Sequence, residues 1–197
     1  ASRRLNIAAM YALILTRAQR SQRGFTLIET MVVVAIVAVL AALAAPSFTP
    51  IIERWRVRDA TESLQSALYL ARSEAIKRGG NVVIRKELTG TNGCPLASGT
   101  SDWDCGWFVF VDANSNGTLN TGEEVLQRFA APNNIQVTRS ANGEFLRFDR
   151  WGRSGPFGFS IVPVDKSTSN PAARGLCMSS GGRIRVTSDS AEIPCND

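Results

Sequence analysis

The hydrophobic pattern of the chain begins with one long apolar run. From Phe25 to Ala45 the only polar residues are Thr26, Glu29 and Thr30. These 21 residues, at about 1.5 Å of helical rise each, match a membrane hydrocarbon core of roughly 30 Å. The pattern therefore predicts a transmembrane helix over residues 25–45.

A second helical pattern comes next in the chain. Apolar side chains recur at Leu64, Leu68 and Ala71, with charged residues between them. This spacing forms one apolar stripe on a helix, which is expected to pack against another element. Gly79-Gly80 is a typical helix end. We therefore predict that the helix continues in amphipathic form over residues 46–79.

After residue 79 the pattern changes to short runs of β-branched and aromatic residues separated by turn residues. Such runs are typical of strands. They predict a β-rich globular domain over residues 80–197 and an α+β fold, in which the amphipathic half of the helix packs on an antiparallel sheet. The predicted strands are 81–85, 107–111, 124–129, 135–139, 145–148, 158–162, 175–178 and 183–187.

Positive charge is concentrated ahead of the apolar run. Five arginines and no acidic residue lie in positions 1–24, a bias that keeps this end in the cytoplasm and sends the C-terminal part of the chain across the membrane. The whole chain has a net charge of +5, but its 22 basic residues less these five balance 17 acidic ones. Attraction for nucleic acid would therefore have to come from a local patch.

The segment Gly24-Phe25-Thr26-Leu27-Ile28-Glu29 resembles the processing signal of type IV pilins and type II secretion pseudopilins. The resemblance implies that a prepilin peptidase removes a leader, residues 1–24, by cutting after Gly24, and methylates the new N-terminal Phe25. It also implies that Glu29 neutralises the N-terminal amine of a neighbouring subunit. An ionised carboxylate in lipid is costly, so a partner charge is expected on physical grounds as well. The alternative is an ordinary anchor or secretory signal, but a secretory signal has a shorter apolar core.

Four cysteines, Cys94, Cys105, Cys177 and Cys195, form an even count in an exported chain, which favours two disulfides. Three pairings can be drawn. We predict Cys94–Cys105 and Cys177–Cys195, because each closes a short loop and is worth about 3 kcal/mol. A metal site is the alternative, but the chain has no histidine and no Cys-x-x-Cys spacing.

Runs farther along the chain resemble one branch of the pilin superfamily, the FimT/GspH minor pilins and pseudopilins. The resemblance implies a subunit that assembles with other major and minor pilins. It would lie in the inner membrane of a Gram-negative bacterium with a periplasmic C-terminal domain, and then in a pilus at the cell surface. The resembling runs are 71–78, 107–112, 147–152 and 182–185.

The last of these runs, Gly182-Arg183-Ile184-Arg185, is the candidate for contact with double-stranded DNA. On a strand, Arg183 and Arg185 project from one face about 6.6 Å apart, while Ile184 and Val186 face the core. Two guanidiniums at that spacing suit neighbouring phosphates. In FimT-like minor pilins a Gly-Arg-x-Arg motif is associated with DNA binding during natural transformation.

Basic residues are also in excess around this motif. Residues 147–185 contain seven of them against two acidic residues. The alternative for the motif is a solvated strand edge, where arginines deter edge-to-edge pairing. The further residues that we predict to contribute to DNA binding are Arg150, Arg153 and Lys166.

A calcium loop is a separate candidate. Asp112, Asn114, Asn116 and Glu123 occupy ligand positions of the EF-hand spacing, with Gly117 at the sixth position. The flanking runs predict strands rather than helices, and only two of the candidate ligands carry charge. The alternative is a hairpin loop in which Asn and Gly adopt positive φ.

No catalytic constellation is found in the sequence. Because the chain has no histidine, it cannot form the usual Ser-His-Asp or Cys-His catalytic arrangements. We therefore predict a non-enzymatic minor pilin that assembles into or primes a type IV pilus and binds DNA without sequence preference. The alternatives are a GspH-type pseudopilin of the type II secretion system with no DNA role and a calcium-dependent adhesive tip subunit.

Overall fold

The computed structural model describes residues 24–44, 48–91, 94 and 97–195. The predicted leader up to residue 23 lies outside these ranges. The chain divides into two compact units, Ala1–Pro46 and Ser47–Asp197, and each is described by itself.

The first unit contains helix α1, Leu27–Ala44. Thr26 caps this helix, because its Oγ1 accepts the backbone N–H of Glu29 at 3.2 Å, as an N-cap threonine does. The apolar side chains of α1 are exposed; Leu43, for example, is 73% accessible. Of the helices in the described ranges, none combines the length and the apolar character needed to cross a membrane.

The second unit begins with helix α2, Thr49–Arg78. Pro50 lies in its first turn, where a missing N–H costs no hydrogen bond. Gly79 ends the helix in the left-handed conformation, with φ of 78°, as the Gly-Gly pair predicts. The amphipathic helix is thus confirmed. Its buried residues are Val57, Ala60, Thr61, Leu64, Ala67, Leu68, Ala71 and Ala75.

Among the described residues eight strands come after α2, and each predicted run is confirmed to within one residue at either end. They form two antiparallel sheets of four strands, in the orders β3-β2-β1-β5 and β4-β6-β7-β8. The strands are β1 Val82–Lys86, β2 Trp107–Val111, β3 Val125–Phe129, β4 Ile135–Arg139, β5 Phe145–Phe148, β6 Phe157–Pro163, β7 Arg174–Met178 and β8 Ile184–Thr187.

One core joins α2 to both sheets. Leu64 and Leu68 of α2 are fully buried in the same cluster as Ile84 of β1 and Leu176 of β7. Truncating a buried leucine of this kind to alanine costs about 2–5 kcal/mol. The helix therefore fixes the two sheets relative to each other, and its C-terminal half carries a large share of the packing.

Two disulfides close loops outside this core. Cys94–Cys105 spans 11 residues and Cys177–Cys195 spans 18 residues. Both predicted pairings are confirmed. The second disulfide ties the C-terminal segment, including the short 3₁₀ helix Ser190–Glu192, back to β7.

Candidate functional site

The predicted processing and assembly residues lie at the start of α1. Gly24, Phe25 and Glu29 are all exposed. Glu29 is in the first helical turn, where a carboxylate interacts favourably with the helix dipole. Its backbone N–H already satisfies the Thr26 cap, which leaves the carboxylate as the group available for a second subunit.

The predicted Gly-Arg-x-Arg motif begins in the turn that joins β7 to β8. The Gly182 N–H donates to the Ser179 carbonyl at 2.8 Å, and the Ser179 N–H donates to the Arg183 carbonyl at 3.0 Å. Gly182 has φ of +81°, a region that L side chains rarely adopt. It is buried, so it shapes the turn, whereas the neighbouring Gly181 is exposed.

A residue of α2 anchors this turn. The Arg72 guanidinium donates to the Gly182 carbonyl, and a Cβ built on Gly152 would lie 2.7 Å from Arg72 Cγ. A Cβ on Gly182 would lie 3.5 Å from the Gly152 carbonyl oxygen. Three of the four runs that carry the family resemblance, 71–78, 147–152 and 182–185, therefore meet at Arg72.

The turn that contains Gly152 is shaped by Asp149. Asp149 Oδ1 accepts the backbone N–H groups of Trp151 at 2.8 Å and Arg153 at 2.9 Å. The Arg153 N–H is the main reason why the pKa of the Asp149 carboxyl lies below its usual range. The Arg153 guanidinium also pairs with Asp149, at 3.2 Å, so Arg153 is less available to DNA than its sequence position predicts.

Two of the predicted DNA-binding arginines differ in their surroundings. Arg183 is exposed, and its guanidinium forms no hydrogen bond or ion pair within the described ranges. Arg185 instead donates to Glu192 Oε2 at 2.8 Å. The sequence predicts that Arg183 and Arg185 contact phosphates equally, but the C-terminal segment, which is held by the Cys177–Cys195 disulfide, places Glu192 next to Arg185 only.

The predicted orientation of Val186 is wrong. Ile184 packs against the main core, but Val186 is 43% exposed. β8 is the edge strand of its sheet, and Val186 borders a shallow cleft with Arg58 and Gln65 of α2.

Arg150 and Lys166, the other residues predicted to contribute to DNA binding, lie at opposite ends of the second sheet. Arg150 lies in the Asp149 turn, next to the turn of Arg183, and is exposed without a side-chain partner in the described part of the chain. Lys166 follows the far end of β6, since its N–H donates to the Pro163 carbonyl. The register pairs Phe157, at the other end of β6, with Met178. Lys166 is therefore about 20 Å from the Arg183 turn along the strand direction, and the sequence-based grouping of the two is wrong.

The candidate calcium loop lies between β2 and β3 and is hydrogen-bonded within itself. The Asp112 carboxylate is fully buried and accepts the N–H groups of Asn116 at 3.0 Å and Gly117 at 2.8 Å. The Arg147 guanidinium lies 2.8 Å from it. Glu123 accepts the N–H groups of Ala113 and Asn120.

These contacts favour the hairpin-loop alternative. A guanidinium supplies at Asp112 the positive charge that calcium would bring, and Asn116 Oδ1 accepts the Thr118 N–H at 2.7 Å. Among the described residues, no group of three or more His, Cys, Asp or Glu side chains is placed to hold a metal ion.

Sequence reasoning missed the residues that position this surface. Arg72 lies within a run that carries the family resemblance, but the sequence indicates no role for it. Glu192 gives no signal, because its contact with Arg185 depends on how the tail folds back. Asp149 precedes a turn glycine by three residues, which is a recognisable turn signal.

Two family profiles match the chain. The family described as Type II transport protein GspH matches residues 60–182. The Prokaryotic N-terminal methylation motif matches residues 19–45, the segment that contains Gly24 and Glu29.

Individual proteins are similar over most of the chain. Pilin-like protein PilA1 of Thermus thermophilus is 31% identical over 175 residues, which are 84% of this chain and 99% of that protein. The crystal structure of the type IV minor pilin FimU of Pseudomonas aeruginosa superposes with a TM-score of 0.52 at 22% identity, over 70% of this chain and 92% of that one. The minor pseudopilin EpsH from the Type 2 Secretion System of Vibrio cholerae gives a TM-score of 0.46 at 14% identity, over 67% and 96% of the two chains. The FimU superposition supports the fold alone.

Proposed function

Because the chain belongs to the GspH family of type II transport proteins and carries the N-terminal methylation motif, we propose that it is a minor pilin of a type IV pilus that binds DNA. The observation that carries the DNA part is that Arg150 and Arg183 are exposed on two touching turns and have no side-chain partner in the described ranges. The similarity to a pilin-like protein over 84% of this chain supports the pilus part.

Assembly begins with processing after Gly24 by a prepilin peptidase and methylation of Phe25. The exposed apolar side chains of α1 then need a cover. The inner membrane of a Gram-negative envelope provides it before assembly, and neighbouring pilins provide it in the filament. The Glu29 carboxylate pairs with the amine of a neighbouring subunit.

Two substitutions separate the charge of Glu29 from its place in the helix cap. Glu29→Gln removes the charge and keeps a side chain compatible with a capping box; Thr26→Ala removes the cap and keeps the charge. We expect Glu29→Gln to lose incorporation into sheared filaments, measured by immunoblot, and Thr26→Ala to retain most of it. The reverse pattern would show that capping, not charge, decides assembly.

DNA binding is expected from the positive surface on the two turns. Guanidiniums bind phosphates strongly, and phosphate contacts carry no sequence information. The proposed contacts are Arg183 and Arg150, which are exposed on the two touching turns. Arg185 and Arg153 contribute less, because each is paired with a carboxylate.

A fluorescence anisotropy titration of labelled duplex DNA tests this site. We expect Arg183→Ala combined with Arg150→Ala to weaken binding about tenfold or more, and Arg185→Ala to weaken it less. Arg54→Ala is the matched control, because Arg54 is an exposed arginine without a described partner about 27 Å along α2 from Arg72. The control removes one charge and the double variant removes two, so a control that loses half as much binding free energy as the double variant would assign the binding to net charge alone.

The second candidate is a pseudopilin of a type II secretion system without a DNA role, which the description of the matched family favours. Deleting the gene separates the two functions. If the protein is a pilus subunit, the deletion should reduce piliation and DNA uptake and leave the amount of secreted enzymes in the medium unchanged. If it is a pseudopilin, the deletion should reduce the amount of secreted enzymes and leave piliation and DNA uptake unchanged.

A further inference from the structure

Trp151 is a large aromatic residue on the proposed DNA surface that the proposed phosphate contacts do not use. Its side chain is 66% accessible, and Trp55 on α2 is 72% accessible, whereas Trp103 and Trp107 of the same unit are fully buried. A side chain of this size left in water forgoes a large gain from burial. Exposed aromatics next to positive charge are typical of binding surfaces.

The backbone around Trp151 is fixed. Its N–H donates to Asp149 Oδ1 at 2.8 Å, and the Gly152 N–H donates to the Asp149 carbonyl at 2.9 Å. Gly152 is buried, and any side chain on it would collide with Arg72. The turn is therefore pressed against α2, and the indole extends from a rigid support rather than from a loose loop.

The surroundings of Trp151 are positive. Arg150 precedes it in the chain, and the turn of Arg183 touches the carbonyl side of Gly152. The nearest acid in the chain, Asp149, already accepts two backbone N–H groups and the Arg153 guanidinium. Trp151 is exposed on the same turn as Arg150, whose exposed guanidinium has no partner in the described ranges. An aromatic ring and guanidiniums on one surface match a nucleic-acid strand that offers a base face and a phosphate together.

From this arrangement we infer that Trp151 stacks on an unpaired base, so that the site prefers single-stranded DNA to duplex. The inference rests on the proposed DNA-binding function. In a duplex each base face is covered by its neighbours, so duplex offers the arginines their phosphates but offers the indole no free base. A neighbouring pilin subunit is the competing occupant, but the exposed guanidiniums of Arg150 and Arg183, which have no side-chain partner in the described ranges, favour a polyanion.

The test compares two probes with the full chain in a non-ionic detergent. The probes are a labelled oligothymidylate and a blunt duplex of the same length, titrated by fluorescence anisotropy at one salt concentration. We expect the wild type to bind the single strand more tightly. Trp151→Ala should weaken single-strand binding about 5- to 150-fold and leave duplex binding within about twofold. Unchanged duplex binding also shows that the variant is folded.

Two further variants sharpen the result. Trp151→Phe keeps an aromatic face and should retain most of the single-strand affinity. Trp55→Ala is the matched control, because Trp55 is 72% exposed on α2 and lies far from the two turns. It should leave both affinities unchanged.

The outcomes separate the two levels of the proposal. Equal effects of Trp151→Ala on both probes, or no effect on either, would overturn the stacking inference. If that variant is silent while Arg183→Ala with Arg150→Ala weakens both probes, stacking is wrong and DNA binding stands. A wild type that binds neither probe refutes DNA binding itself. Loss of filament incorporation with intact single-strand binding would assign Trp151 to a subunit contact and overturn the inference.

Discussion

Arg72 donates a hydrogen bond to the carbonyl oxygen of Gly182, 110 residues later in the chain. This contact joins the C-terminal half of α2 to the turn that displays Arg183. The same arginine packs against Gly152, so one side chain positions both turns of the proposed DNA surface without reaching the surface itself.

Replacing Arg72 should therefore weaken DNA binding indirectly. A hydrogen bond from a charged donor contributes about 1.5–3 kcal/mol, and we expect Arg72→Ala to reduce the free energy of unfolding by about that amount. Hydrogen exchange should show faster exchange of the Gly182 N–H, which closes the turn. An unchanged exchange rate, with DNA affinity also unchanged, would show that Arg72 does not position the turn.

The two glycines of the turn should respond differently to alanine. Gly182 has positive φ, so Gly182→Ala should cost about 1–2 kcal/mol of stability. Gly181 does not, and a Cβ there would meet only Ser179 Oγ at 3.9 Å. Gly181→Ala is therefore the matched control and should change the melting temperature little. Equal shifts for the two variants would contradict the assigned backbone roles.

The β2–β3 loop should not respond to calcium. Millimolar calcium should produce no heat in a calorimetric titration and no change in melting temperature, because Arg147 and backbone N–H groups already satisfy Asp112. Arg147→Ala should destabilise the protein by about 2 kcal/mol, since it leaves a buried carboxylate without its positive partner.

Arg128→Ala is the control for that substitution. Arg128 also lies over the first sheet, 4.7 Å from the Phe108 ring, but it is half-exposed and its partner Glu87 is only partly buried, whereas Asp112 is fully buried. We therefore expect a smaller loss of stability from Arg128→Ala than from Arg147→Ala. Binding heat with calcium, or a calcium-dependent rise in melting temperature, would restore the calcium-loop hypothesis.

Asp104 should make the stability of the domain decrease as the pH rises. Burial raises the pKa of this carboxyl above its ordinary value, so the native state keeps a proton that the unfolded chain has lost. Stability due to Asp104 therefore falls as the pH rises from its ordinary pKa through the raised one.

Asp104→Asn removes this titration and retains an oxygen for the Val137 N–H. We expect the variant to be more stable than the wild type at neutral pH and equal to it in acid. Denaturant unfolding at several pH values measures the difference in the free energy of unfolding between the variant and the wild type. The contributions of the other acidic residues cancel in this difference, because both proteins contain them. A difference independent of pH would contradict the raised pKa.

Local features were predictable from the sequence, and long-range ones were not. The strands could be placed because each is a short run of β-branched or aromatic residues between turn residues, as in Trp107–Val111. The division into two sheets depends on which runs pair across the chain, and no local pattern encodes that.

The same limit applies to the candidate site. The arginines could be found, but their partners could not, because the Arg185–Glu192 pair depends on the disulfide-tied tail. Lys166 and Arg183 belong to the same basic segment of the sequence, residues 147–185. They lie at opposite ends of the sheet, because β6 and β7 are antiparallel.

The most direct test of the central claim is the salt dependence of duplex binding. Each phosphate contact contributes about −0.9 to the slope of the logarithm of the binding constant against the logarithm of salt concentration. Contacts from Arg183 and Arg150 contribute about −1.8 to the slope of the wild type, and we expect the slope to become shallower by about that amount when both are alanine. Lys166→Ala, at the far end of the sheet, should leave the wild-type slope unchanged. A double variant with the wild-type slope, or a Lys166→Ala variant that loses as much as the double variant, would contradict the assignment of DNA binding to these two turns.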